Sequence, residues 1–404
     1  MVGPRLQRQI LRGGADNRVG GALAGSIGVP RDAEAVLRGL PQGVEQAGGE
    51  IGVGGKICAH RRSLPSLVRQ GKYGQTANDK GDTKMAKPIL LITRRLPPAV
   101  EARATRDYDA RLNADDSVRT GADVLRLADG AAAILCCPAE RLDAATIAAL
   151  PDTVRVIGTF SVGFDHIDLE AAQARGITVV NTPDVLSVAT AECALLLLMM
   201  AARRAGEGER LVRSGGWKGW APTQLLGAGV AGRRLGIFGM GRIGRELALL
   251  AQGLGIEVHY RDRARLPPEL ERGAIFHETD DSFLAICDLL SLNAPGGPET
   301  RRWLDAARIA KLPRGAVVAN AARGTLIDDA ALIEALRSGH VAAAGLDVYD
   351  GEPVVNPGYL ALQNVVLLPH LGSATTVTRD AMGALVLDGI DAVLTGRKPT
   401  NRVV

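Results

Sequence analysis

An α/β fold with parallel sheets is predicted by three observations. Short apolar runs of strand length alternate with segments of helical period from Met85 onward. A glycine-rich turn, Gly239-Met-Gly-Arg-Ile-Gly244, joins the run Leu235–Phe238 to a pattern with Leu247, Leu250, Ala251 and Leu254 at i, i+3, i+4 and i+7. Apolar residues make up 46% of the chain but aromatics only 3%, so the core must be aliphatic.

The length of 404 residues suggests two or three domains. The net charge of +4 is unevenly placed: residues 1–84 hold 13 Lys/Arg against 7 Asp/Glu, and residues 85–404 hold 35 against 37. The second part is nearly neutral, with no basic face of the kind a nucleic-acid binder presents. Cys58, Cys136, Cys137, Cys193 and Cys287 form no CxxC pair, which favours reduced thiols and a cytoplasmic location. The longest uncharged apolar run, Cys193–Ala202, is too short to span a bilayer. No metal-ligand pattern stands out.

Residues 1–84 contain 17 glycines and no sustained period, so a disordered extension is expected there. Met85 is read as the natural start, with the preceding stretch dispensable. Strands are expected at Ile89–Thr93, Ala131–Cys136, Val154–Phe160 and Ile177–Asn181, with helices at Asp143–Leu150 and Asp168–Arg175. Between Pro97 and Val124 the period is unclear. Leu186–Arg204 reads as a helix apolar nearly all round, buried between domains. Gly206–Gly232 reads as a linker, in which Trp217 and Trp220 mark either a partner surface or a cover for the first domain. Further strands follow the glycine turn at Ile256–Tyr260, Leu289–Asn293, Ala316–Asn320, Ala342–Val348 and Val365–Leu368. Asp329–Ser338 is a helix stopped by Gly339, and Thr375–Leu394 is the last.

Each glycine of the turn has a physical task. Gly239 permits the sharp bend, Gly241 leaves room for a pyrophosphate to approach the backbone, and Gly244 lets helix and strand pack closely. The helix N-terminus then faces the anion. A dinucleotide is therefore the expected ligand of Gly239, Met240, Gly241, Arg242, Ile243 and Gly244.

Arg323, Glu352 and His370 each stand just beyond an apolar run, where a doubly wound sheet has its ligand crevice. Each alone has an ordinary reading: a surface charge, a turn acid, a satisfied core histidine. Together they suit reduction of a ketone. A histidine can protonate the new alkoxide, a carboxylate beside it favours the imidazolium, and an arginine can hold a substrate carboxylate.

At these residues the chain resembles the D-isomer-specific 2-hydroxyacid dehydrogenases, and within them the glyoxylate/hydroxypyruvate reductase branch. The resemblance rests on Ser161-Val-Gly-Phe-Asp165, Asn181-Thr-Pro-Asp184, Gly236-Ile-Phe-Gly-Met-Gly-Arg-Ile-Gly244, Asn320-Ala-Ala-Arg-Gly324, Gly345-Leu-Asp-Val-Tyr349, Glu352-Pro353 and Pro369-His-Leu-Gly-Ser-Ala-Thr375. It implies catalytic roles for Arg323, Glu352 and His370, and backbone amides at Val162 and Gly163 that hold the substrate carboxylate with Arg323. It places Asn293 and Asp347 near the cofactor. It further implies a Rossmann domain over 186–371, a smaller flavodoxin-like substrate domain over 85–185 completed by 372–404, and a homodimer. One departure is Leu292-Asn293-Ala294-Pro295, where many relatives carry a histidine in place of Asn293.

Cofactor choice turns on Tyr260-Arg-Asp-Arg263. With Tyr260 as the strand end, Arg261 occupies the position of the NAD-binding acid, Asp262 is displaced by one, and Arg263 shares a face with Arg261. This reading favours NADP(H), with NAD(H) kept open by Asp262. The expected reaction reduces a small 2-oxo acid, glyoxylate or hydroxypyruvate. The rival readings are an NAD-dependent D-lactate or phosphoglycerate-type dehydrogenase and a dinucleotide-sensing, co-repressor-like interaction protein.

Overall fold

The computed structural model describes residues 86–404; the expected extension at 1–84 lies outside them. Two parallel sheets organise the chain. The first holds β1 (Ile89–Ile92), β2 (Asp109–Arg111), β3 (Ala133–Cys136), β4 (Val156–Thr159) and β5 (Thr178–Val180) in the order β2-β1-β3-β4-β5. Strands β3 and β4 are buried at every position, as expected for a sheet covered by helices on both faces.

The second sheet holds β6 (Arg234–Phe238), β7 (Glu257–Arg261), β8 (Ile275–Phe276), β9 (Leu289–Leu292), β10 (Ala316–Asn320), β11 (Val341–Leu346) and β12 (Val365–Leu367). Its order is β12-β11-β10-β9-β6-β7-β8. The winding reverses between β6 and β9, which opens a crevice at their carboxyl ends. The architecture is thus a Rossmann sheet beside a smaller flavodoxin-like one.

The chain returns to the first sheet at its end. Helix Thr376–Leu394 packs on β4, where a side chain at Gly158 would meet Val386 and Ile390. Beyond it, Val403 N–H donates to the Val179 carbonyl and Asn181 N–H to the Asn401 carbonyl.

Three expectations change. Helix Pro98–Asp107 occupies the stretch without a clear period, because only Val100 and Ala104 face the core. The expected linker opens with helix Ala205–Arg213, which buries no residue and is tied down by Arg210 to Gln363. Helix Ser187–Ala202 packs on the second sheet rather than between the two. A Cβ at Gly345 of β11 would lie 2.8 Å from Leu197 Cβ, so only glycine permits this approach. Trp217 and Trp220 are 52% and 83% exposed, and Trp217 Nε1 donates to Gln224 Oε1.

Candidate active site

The glycine turn leaves β6 at Gly239, whose φ of +95° favours glycine. A side chain there would also strike the Ala294 amide, 2.6 Å from the Cβ position. Gly244 is equally constrained, because its Cβ would overlap the Gly239 carbonyl. Gly241 differs: nothing lies within 4 Å of its Cβ position. It precedes helix Arg242–Gly253, whose first turn has no side-chain cap. Free amides at a helix start facing an open space fit a pyrophosphate.

The second strand runs one residue further than its sequence suggests. Arg261 is still in β7, in register with Phe238, and Asp262 follows it directly. The expected pairing of Arg261 with Arg263 is therefore corrected. Arg261 turns to Asp280, with Nε 3.2 Å from Oδ1, beside Arg308 and Trp303 on the same carboxylate. Asp262 instead reaches the glycine turn, accepting from Met240 N–H at 2.8 Å. With Gly241, Arg245 and Arg263 it lines a cavity of about 490 Å³.

Arg242 forms an ion pair with Asp184, beyond β5, and Ile243 packs against apolar residues of both sheets. The start of the glycine-turn helix thus touches the first sheet's unit. Asn293 follows β9; its N–H donates to the Phe238 carbonyl at 2.8 Å and its Nδ2 to Ser291 Oγ at 3.0 Å. The loop after it bridges the two halves of the site. Ala294 abuts Gly239, and two residues on, a Cβ at Gly296 would lie 3.1 Å from Arg323 Cγ.

Arg323 follows β10 and is held through its carbonyl, which accepts from Asn320 Nδ2 at 2.8 Å. Its Nε and Nη2 face Asp165, at 3.1 and 3.2 Å from the nearer oxygens. A Cβ at Gly163 would overlap Arg323 Nη2. The guanidinium is therefore pressed onto the loop after β4. Burial would push the Asp165 carboxyl up, but the hydrogen bond and charge of Arg323 outweigh it and hold the group below its ordinary range. The same loop is fixed by Asn181, whose Nδ2 donates to the Val162 carbonyl at 2.8 Å. Asp165, Asn181 and Asp184 lie in motifs visible in the sequence, but nothing in those motifs announces their partners.

His370 and Glu352 meet at the ends of β12 and β11. His370 Nδ1 lies 2.8 Å from Glu352 Oε2, while Glu352 Oε1 accepts from Tyr349 N–H at 2.9 Å. Burial acts to raise the Glu352 carboxyl, but the hydrogen bond and charge of His370 bring it below the usual carboxylate range. The charge of Arg323 reaches the same carboxyl. His370 has a φ of +56°, a conformation that costs a non-glycine residue about 1 kcal/mol or more. Asp347, expected at the cofactor, is what holds it there. It is wholly buried; its carbonyl accepts from His370 N–H, and its carboxylate from the amides of Leu371 at 2.6 Å and Gly372 at 2.8 Å.

Such a site, a pyrophosphate turn joined through one loop to an arginine and a histidine–carboxylate pair, defines a dinucleotide-dependent oxidoreductase. Residues 195–372 match the family described as D-isomer specific 2-hydroxyacid dehydrogenase, NAD binding domain. The chain is 44% identical over 314 residues to a glycerate dehydrogenase of Hyphomicrobium methylovorum, covering 77% of this chain and 98% of that one. Among solved structures, a glyoxylate reductase from Paecilomyes thermophila is 35% identical with a TM-score of 0.71, covering 79% and 99%. An NADPH-dependent glyoxylate/hydroxypyruvate reductase from Sinorhizobium meliloti, in complex with NADP and malonate, is 30% identical with a TM-score of 0.69, covering 79% and 97%.

The chain belongs to the D-isomer-specific 2-hydroxyacid dehydrogenase family, in its glyoxylate/hydroxypyruvate reductase branch. It is a nicotinamide-dependent enzyme of 2-oxo and 2-hydroxy acids. No helix among the described residues is long and apolar enough to cross a membrane.

Proposed function

We propose that the protein reduces glyoxylate or hydroxypyruvate to the D-2-hydroxy acid. The observation that carries this reading is the His370–Glu352 hydrogen bond of 2.8 Å, with the charge of Arg323 acting on the same carboxylate. Glycerate is the 2-hydroxy acid of hydroxypyruvate, so the glycerate dehydrogenase relative supports the same pair. Residues 85–185 with 372–404 act as the substrate domain and residues 186–371 as the dinucleotide domain.

When bound, the reduced nicotinamide supplies a hydride to the substrate's α-carbon. The chain's own residues do the rest. Arg323 and the amides of Val162 and Gly163 hold the substrate carboxylate, replacing its water with donors fixed in advance. His370 gives a proton to the new alkoxide, and Glu352, hydrogen-bonded to Nδ1, orients the ring. Arg242 with Asp184, and Arg323 with Asp165, tie the two sheets' loops together.

For the cofactor, the position of Asp262 supports NAD(H) rather than the NADP(H) favoured from the sequence. A carboxylate at the glycine turn suits ribose hydroxyls and repels a 2′-phosphate, so NAD(H) is favoured. Arg245 and Arg263 beside it are the groups that would serve NADP(H). Residues Gly239–Gly244 and Asn293 complete the site, with Asp347 supporting it from behind. The exposed Trp217 and Trp220, with Val212 and Leu226 close by in the chain, form the face proposed for a homodimer. All described cysteines are free, in keeping with a cytoplasmic enzyme.

Nicotinamide absorbance with glyoxylate, hydroxypyruvate, pyruvate and 3-phosphohydroxypyruvate, each with NADH and NADPH, tests the whole reading. The first two substrates with NADH should turn over best. Negligible turnover of every 2-oxo acid by protein that binds cofactor would refute it in favour of a sensor. Preference for NADPH would refute the role given to Asp262.

A further inference from the structure

Behind the loop that would take the substrate carboxylate lies a row of polar groups that no step above uses. Thr159, the last residue of β4, is fully buried. Its Oγ1 lies 2.7 Å from Ser161 Oγ and 3.0 Å from His166 Nε2. Ser161 Oγ lies 2.6 Å from the Gly163 carbonyl oxygen.

The hydrogens of this row can be counted. A carbonyl oxygen only accepts, and each hydroxyl has one hydrogen to give. Two hydroxyls therefore fill two of the three contacts, and the third hydrogen must sit on His166 Nε2. Any other arrangement sets lone pairs against each other at hydrogen-bond distance. The row then runs one way: His166 donates to Thr159, Thr159 to Ser161, and Ser161 to the Gly163 carbonyl. Cys136 Sγ, 3.9 Å from the same nitrogen, is a weaker neighbour. Burial pulls the imidazole down to about 4, with Asp165 opposing, so the ring is neutral near pH 7.

A trans peptide points its N–H opposite its C=O. Asn181 fixes the Val162 carbonyl, and hence the Gly163 N–H, from one side. The His166 row fixes the next peptide through the Gly163 carbonyl, so two successive peptides of the loop are held.

We propose that His166, as its neutral Nε2–H tautomer, is a positioning residue for substrate: through Thr159 and Ser161 it fixes the loop whose amides receive the 2-oxo acid's carboxylate. The kinetic half of this inference rests on the reductase reading; the tautomer does not.

Nitrogen-15 spectra of the full-length protein labelled at histidine, with His166 assigned by its loss in His166→Gln, test the tautomer. The neutral Nε2–H form is expected at pH 7. An Nδ1–H tautomer or an imidazolium overturns the proposal, whatever the enzyme reduces. In steady-state kinetics, Ser161→Ala and His166→Leu should raise KM for the 2-oxo acid about tenfold, equivalent to ~1.4 kcal/mol, with kcat and the Kd for NADH little changed. His166→Gln, whose side-chain amide can donate in place of Nε2–H, should recover most of the loss. If His166→Leu does not fold, Ser161→Ala carries the kinetic test. An unchanged KM in Ser161→Ala, or an equal loss of NADH affinity, overturns the positioning role. Wild-type protein with the expected spectrum but no turnover would instead remove the reductase reading, and the substrate role with it.

Discussion

Gly163→Ala tests the contact on which substrate binding is argued. The backbone of Gly163 is not left-handed, so alanine fits its conformation, but the new methyl overlaps Arg323 Nη2. The only atoms struck are those of one flexible side chain and its carboxylate partner, so the fold should survive while the guanidinium moves. Arg323 then gives up its hydrogen bonds to Asp165 and its place beside the amides of Val162 and Gly163. A hydrogen bond to a charged group contributes about 1.5–3 kcal/mol. Asp165 is half-exposed, which reduces that contribution to ~1–2 kcal/mol. The corresponding fall in kcat/KM for the 2-oxo acid is about five- to thirtyfold. Absorbance kinetics with saturating NADH would measure it, with the melting temperature and NADH affinity as controls. Full kcat/KM in a folded Gly163→Ala protein would refute the assignment of Arg323 and this loop to the substrate.

Gly241→Ala makes the opposite kind of change: its methyl meets no protein atom, so stability should hold while the Kd for NADH rises at least about tenfold; unchanged fluorescence titrations would refute the pyrophosphate placement. Glu352→Gln should lower kcat about a hundredfold while leaving the NADH Kd intact, and near-normal turnover would remove Glu352 from the mechanism. For His166, whose folded value is pulled to about 4, the unfolded chain binds the proton first, from about pH 6.5 downward. The stability it contributes is thus complete above about pH 6.5 and lost as pH falls toward 4, by ~3 kcal/mol. Denaturant unfolding of His166→Gln should lack that part of the decline; matching pH–stability curves would contradict its burial as a neutral ring.

Much of the architecture was legible because strands buried on both faces read as continuous apolar runs. Leu289–Leu292 and Ala316–Asn320 are clear in the sequence and buried throughout in the fold. The residues at their ends could be picked out for the same reason: Arg323, Glu352 and His370 interrupt apolar text. Helices Pro98–Asp107 and Ala205–Arg213 were illegible because they bury two residues and none; ion pairs and loop contacts, rather than a stripe, hold them. The end of the strand beside the glycine turn was misread by a single residue. Where a strand stops depends on its neighbour, and Arg261 stays in β7 because Phe238 of β6 pairs with it. The partners of Asp165 and Asp184 lie far along the chain, and no local spacing encodes such contacts.

The covalent path between the sheets is double, once after β5 and once after His370. Two tethers make rotation about the line through them the easiest relative motion and oppose sliding or twisting. His370 lies two residues before Gly372, whose N–H is clamped to Asp347, so His370 sits almost on that axis. It would move least in any such rotation, and the Ser161–Asp165 loop, tied to Asn181 and Thr182 beside the first tether, would also stay near that line. Such a rotation would leave the His370–Glu352 pair undisturbed, because both members follow strands of the second sheet.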